Sequence, residues 1–449
     1  MKAWEWEYKI RRQAAPESNF TGIYGEDFAP NMFNDDFLLL IWYSEVPGSG
    51  APDSLILGAI QAVENMGRDV SKALELYKEG FEAYKDRRIG KLRAITAEIF
   101  SELESAPKVE NHPYHRYKRP LKWEEISKDF PKGRSEVEGD IFENIYNGWI
   151  GQIAGAAMGT RLEGYFSEAL EQAYGDRLGY YLEIPPSTVN DDITYEIAVL
   201  ETVREYKKLT SHGLALKWLE LIKFGWSAEF VALRNLERGI MPPESGRLYN
   251  PFQEWIGAQM RTMVHGFLHP GDPYSAAKSA YIDSVISHSG NGVYAGIHSA
   301  VLTSLAFSIK NPKELILEAE KFVPKGTEFE SVVKETRKVC ERSAEWREVH
   351  EWAKGRFKTY NWIHAYPNAA AVITALWFGS SFDEVMEIIA RFGYDVDCNA
   401  GEAGSVAGII YDVPDRWKDP LNDTLETYVP GYERVSIKRL AGRTYELIS

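Results

Sequence analysis

From Asp53 to about Ser105, apolar residues recur every three or four positions. Leu55, Ile56, Ala59, Ile60 and Val63 form one such set, and Ala73, Leu74, Leu76, Tyr77, Phe81 and Tyr84 a second. This period aligns them on helix faces and predicts amphipathic helices. Residues 1 to about 50 show no such period. They are aromatic-rich, are broken at Pro16, Pro30 and the PGSGAP stretch from Pro47 to Pro52, and read as irregular. Residues 106–136 carry Pro107, Pro113, Pro120 and Pro131 among many charges, the pattern of a linker or surface strap. From Val137 onward, long apolar helical segments alternate with Gly and Pro, and no run of alternating β-branched residues occurs. The pattern therefore predicts an all-α fold in two parts: a partly helical N-terminal extension over 1–136 and a helical domain over 137–449.

At 449 residues and 44% hydrophobic content, the chain can bury a substantial core. A formal charge of −15 argues against a nucleic-acid partner, which needs clustered positive charge. No basic patch suited to a pyrophosphate is legible in the sequence. No apolar run is long enough to cross a bilayer, and the MKAWEWEYKIRRQ start lacks the apolar segment of a signal peptide. The two cysteines, Cys340 and Cys398, make no disulfide framework and suit a reducing compartment. A cytoplasmic protein with no membrane partner is expected, its oligomeric state left open.

Two glycine patterns differ in meaning. Gly148, Gly151, Gly155 and Gly159 share one helical face and read as a small-residue ridge for close helix packing. GNGVYAG, from Gly290, mimics a dinucleotide fingerprint but lacks the preceding strand and the spacing.

The chemistry concentrates in two acidic segments. In VNDDITYEIAVLETV, Asn190 is a suitable N-cap, Asp191 and Asp192 fall in the first turn, and Ile193, Ile197 and Leu200 form the buried stripe. Acids favour a helix N-terminus through its dipole, so taken singly this pair reads as a cap. In GYDVDCNAGEAGSVAGIIYD, Asp395 and Asp397 alternate ahead of a small-residue helix. A calcium loop would need Gly and Glu where Ala400 and Val406 stand. Taken together, the segments bring four carboxylates ahead of apolar helices. If they converge, their repulsion requires protons or cations, and hard oxygens favour Mg²⁺, Mn²⁺ or Ca²⁺ over zinc. A third string, Asn34-Asp35-Asp36, repeats the NDD pattern before FLLLIWY and reads as structural.

The order MGTRLEG, NDD, SHSGNG, GYDVDCNAGEAGS resembles the ADP-ribosylglycohydrolase family over roughly residues 137–420. The resemblance implies a multi-helix orthogonal bundle around one or two Mg²⁺ or Mn²⁺ ions. It implies ligands at Asn190, Asp191, Asp192, Asp395, Asp397 and Cys398, and a mobile-loop acid at Glu163. It also implies substrate contacts from His288, Gly290, Asn291 and Gly292. Asn190 and Cys398 stand where the family has Thr. A neutral thiol is a poor ligand for a hard cation, which bears on a second metal. HAYPN precedes an alanine-rich helix, with Asn368 read as its N-cap.

The activity implied is hydrolysis of an N- or O-glycosidic bond to ribose, with water attacking the anomeric carbon. Asp191, Asp192, Asp397 and Glu163 are the catalytic candidates. The partner would be a small ribosyl compound or an ADP-ribosylated protein. Two alternatives from other classes remain: a non-hydrolysing ADP-ribose or nucleoside binding protein, and a helical scaffold whose acids are plain caps. The N-terminal extension would cover the mouth of the site.

Overall fold

The computed structural model describes residues 34–448. Among these are 21 α-helices, and the only sheets are two short antiparallel pairs, so the all-α expectation holds.

The N-terminal region is more ordered than the sequence pattern suggested. Asn34 caps a helix over Asp35–Trp42, its side chain accepting from Phe37 N at 3.0 Å. Leu38, Ile41 and Trp42 are buried, and Trp42 stacks on Tyr77 with ring centroids 5.3 Å apart. Tertiary burial overrides the absence of a long period in this short helix. Asp35 pairs with Arg93, so the NDD string here is a structural cap. The rest of the segment read as irregular, residues 1–33, lies outside the described residues. After a small hairpin, Ser44–Glu45 against Pro52–Asp53, come helices Leu55–Asn65, Ser71–Lys85 and Ile89–Ser105.

Residues 106–136 run across the surface of the later helices. Their backbone carbonyls accept from distant tyrosines: Pro120 O from Tyr294 (2.6 Å) and Leu121 O from Tyr281 (3.1 Å). Prolines suit such a strap because it forms no continuous backbone ladder of its own.

At the centre, helix Ile141–Gly159 packs along helix Val396–Tyr411. The glycine ridge makes this approach possible. A Cβ on Gly151 would collide with the Gly404 carbonyl, one on Gly155 with the Ala400 carbonyl, and one on Gly159 with the Asp397 backbone. The contact is therefore backbone against backbone, an approach that side chains on either face would prevent. Because the Gly159 end of one helix meets the Asp397 end of the other, this packing also sets where the acidic segment sits. One continuous buried cluster runs from Leu38 to Ala441, joining the extension to the later helices.

Candidate active site

Asn190 caps helix Asp191–Tyr206 as the sequence suggested, accepting from Asp192 N at 2.8 Å. Its Nδ2 reaches across and donates to Asp397 Oδ2 at 3.0 Å, so the cap of one acidic segment is tied to the other. Asp395 is the N-cap position of helix Val396–Tyr411, and Asp397 lies in its first turn. All four aspartates are brought together: Asp192, Asp395 and Asp397 are buried, and Asp191 is half-buried at the cavity wall. Glu163, in the turn after the Gly159 end, joins them.

Burial, then the neighbouring charges of Asp397, Asp395, Asp191 and Asp192, holds the Glu163 carboxyl well above its usual range. Burial, then Asp397, pushes Asp191 to about 7. Asp192 and Asp395 are raised strongly for the same two reasons. Three of the oxygens, Asp192 Oδ2, Asp395 Oδ1 and Asp397 Oδ1, are buried without a hydrogen-bond partner. Unpaired buried carboxylate oxygens are costly, and a hard divalent cation is the partner that fits this donor set.

Cys398 completes a close group with Asp395 and Asp397, their candidate ligand atoms within 4.8 Å of one another. Burial, then the four aspartates, keeps its thiol neutral. Its S–H points at Asp192 Oδ1 (3.4 Å), so the thiol serves as a donor to a carboxylate. The residues thus fit one hard cation held by carboxylates better than a sulfur-ligated second ion.

The acids open onto a cavity of ≈ 360 Å³. Glu163, Asn190, Asp191, Asp395, Asp397 and Cys398 line it, with Asp192 buried directly behind. Residues the sequence did not flag form the rest of the wall. Trp226, Trp362, Phe224 and Tyr428 supply aromatic surface, and Glu229 adds a further carboxylate. Glu229 is held by the fully buried Arg261, whose Nη1 donates to it at 2.6 Å while Nε donates to Asp283 at 2.9 Å. No short motif could announce this network, since its members are separated by tens of residues. The extension contributes Leu40, Val46, Pro47 and Asp53 to the mouth. Its hairpin loop is clamped to the Glu163 turn: Arg161 Nη1 donates to Gly48 O (3.0 Å) and Tyr165 OH to Ser49 O (3.2 Å).

Several expected contacts lie elsewhere. His288 is buried, its Nδ1 paired with Ser287 Oγ at 2.7 Å and 3.7 Å from Glu229 Oε1, one layer behind the cavity wall. Gly290, Asn291 and Gly292 do not line the acidic cavity. They begin helix Asn291–Ala306 against the 253–254 backbone, where a Cβ on Gly292 would strike the Gln253 carbonyl. Asn291 Nδ2 donates to Glu254 (2.8 Å), and Gly290 lines a different cavity. Asn368 is not an N-cap. His364 caps helix Ala365–Phe378, accepting from Tyr366 N at 3.2 Å. Asn368, one turn in, accepts from Asp395 N (3.2 Å) and Asn399 Nδ2 (2.8 Å), and so steadies the acidic loop.

A helical fold with a buried polycarboxylate site at a glycine-packed helix junction defines a class suited to hard-cation chemistry. The sequence model of the family described as ADP-ribosylglycohydrolase matches residues 138–449, and the chain belongs to that family. Membership implies hydrolase activity. A solved structure described as an ADP-ribosylglycohydrolase-related protein complex is similar in fold. It has 19% identity and a TM-score of 0.50, over 69% of this chain and 99% of that chain. No curated protein matches. Among the described residues, no helix is long and apolar enough to cross a membrane.

Proposed function

We propose that the chain is a divalent-cation-dependent hydrolase of a ribosyl N- or O-glycosidic bond. The observation that carries this reading is the set of three partnerless buried oxygens, on Asp192, Asp395 and Asp397, beside a cavity of sugar size. Asp191, Asp192, Asp395 and Asp397 would hold one or two Mg²⁺ or Mn²⁺ ions, with Asn190 and Cys398 flanking them. A cation bound there would orient vicinal hydroxyls and lower the pKa of a water.

The chain's own groups supply the rest. Glu163, held in its protonated form by burial and its acidic neighbours, is placed to hand a proton to the leaving group. The carboxylates stabilise positive charge as it develops on the sugar ring. Trp226, Trp362 and Phe224 offer flat apolar surface to the leaving group and exclude water.

The substrate class follows from the wall. Among the described residues lining the cavity there is no lysine, arginine or histidine, whereas seven carboxylates are present. Apart from the proposed cation, a diphosphate would meet only like charge from the protein, so a neutral or cationic ribosyl compound, such as a nucleoside-type glycoside or a ribosylated amine, fits better than an intact ADP-ribosyl group. The neutral Cys398 thiol favours a second reading, in which a weakened ion site binds a nucleoside or ADP-ribose without hydrolysis. Turnover of a panel of nucleosides, simple ribosides and ADP-ribosylated arginine and serine, with Mg²⁺ or Mn²⁺, tests both. We expect cation-dependent release of ribose from the smaller substrates, lost in Asp191→Ala and reduced by about 10²-fold or more in Glu163→Gln. Binding without turnover in the wild-type protein selects the second reading, and full activity in both variants overturns the first.

A further inference from the structure

A second cavity, of ≈ 670 Å³, lies apart from the acidic one. It lies between the helices of the extension, the 106–136 strap and residues 247–254, and its charge is opposite to that of the chain. Arg68, Lys108, Arg119 and Arg247 face it, against two carboxylates, Glu104 and Glu254. The four cations are scattered over nearly 180 positions, so the sequence shows no basic patch where the fold makes one.

Glu254 is already matched within the protein. It is buried and accepts from Tyr114 OH (3.0 Å) and Asn291 Nδ2 (2.8 Å). The cations have no such carboxylate partner at close range: Arg68 Nη1 donates only to a neutral carbonyl, Ala106 O, at 2.9 Å. Among the described residues Lys108 makes no ion pair. Arg119 lies over the Tyr114 ring, 3.3 Å from its centroid, where its charge acts on the buried Glu254. Arg247 reaches Glu244 only at 3.9 Å.

The backbone gives a second, independent indication. Arg68 and Lys108 are antiparallel bridge partners, fixed by Asp69 N donating to Pro107 O (2.8 Å) and Val109 N donating to Gly67 O (2.9 Å). Directly opposite like charges destabilise such a pair, and an anion lying between them removes that repulsion. Tyrosine surface adjoins the cations: the half-buried Tyr117 and the exposed Tyr249 both line the cavity.

We propose that this cavity is a nucleotide-binding site. Arg68, Lys108 and Arg247 take the phosphates, and the tyrosine faces take the base. The volume falls within the usual range for small-molecule sites, roughly 300–1,000 Å³. The proposal does not depend on the hydrolase reading, because Trp255 separates the two cavities: Gln253 and Glu254 line the cationic one, Ile256 and Gly257 the acidic one.

Calorimetric titration of the full chain with ADP, adenosine and inorganic phosphate, in EDTA, tests it. ADP is expected to bind about tenfold or more tightly than either fragment, and to weaken as salt rises. The Lys108→Glu/Arg247→Glu double variant should lose about tenfold or more in ADP affinity with an unchanged unfolding midpoint. If that variant unfolds early, Lys108→Gln alone, which keeps most of the side chain's length and removes its charge, is read in its place with a loss of at least about threefold. Asp397→Ala, in the acidic cavity, should bind ADP as the wild type does. Absence of ADP binding, equal binding by the charge variants, equal affinity for phosphate and ADP, or loss of binding in Asp397→Ala overturns the proposal.

Discussion

Replacing Asp397 with Asn removes a charge and little else. The Asn keeps an oxygen to accept from Asn190 Nδ2, which Asp397 Oδ2 does at 3.0 Å, so the tie between the two acidic segments survives. Asp397 is among the charges that raise Glu163, Asp191, Asp192 and Asp395. With candidate ligand atoms within 4.8 Å on Asp395 and Asp397, a fully charged pair repels by about 3 kcal/mol at an effective dielectric near 20. Part of that is already relieved by protonation, so without divalent cation the variant should be more stable by about 1–2 kcal/mol. For a chain of this size that is a rise of roughly 2–4 °C in Tm. With cation the order reverses. An ion present at about 100 times its Kd stabilises the wild type by about 2.7 kcal/mol, roughly 5 °C, and should shift the variant hardly at all. Thermal unfolding of both proteins with EDTA and with Mg²⁺ or Mn²⁺ measures all four midpoints. Two outcomes would refute the reasoning: a variant less stable than wild type in EDTA, or an undiminished cation shift.

Three further perturbations probe other parts of the argument. Gly151→Ala drives a methyl into the Gly404 carbonyl and should cost about 1–3 kcal/mol in chemical denaturation, whereas Gly355→Ala, whose Cβ meets nothing, should be neutral or stabilising. Cys398→Thr puts a hard oxygen beside Asp192 and should tighten Mg²⁺ binding, measured by calorimetry, more than it tightens Mn²⁺ binding. Glu328, raised from 4.5 to about 7 by burial and then by Glu254, favours the folded state most below pH 4.5, and that contribution is lost as pH rises through 7. Glu328→Gln should therefore flatten the stability profile across that window and gain up to about 3 kcal/mol on wild type at pH 8, as read from urea midpoints.

What the amino-acid sequence determined alone is local. Helix period, caps and turn residues act over a few positions, so the helices from Leu55 to Ser105, the Asn190 cap and the two acidic segments could all be read directly. The glycine ridge was legible for a related reason: four small residues on one face have few uses other than close packing. Even so, each aspartate pair by itself reads as a helix cap, and only the Gly159–Asp397 backbone contact and the Asn190–Asp397 hydrogen bond make them one site. Tertiary structure decided everything that depends on closure over long sequence distances. It turned SHSGNG away from the acidic cavity and gave Asn368 the Asp395 loop in place of a cap. It held Glu229 with Arg261, and it laid the extension over the mouth of the site. It also gathered Arg68, Lys108, Arg119 and Arg247 around one cavity in an acidic chain. Cavities and charge fields arise from which surfaces meet, and no pattern confined to neighbouring residues encodes that meeting.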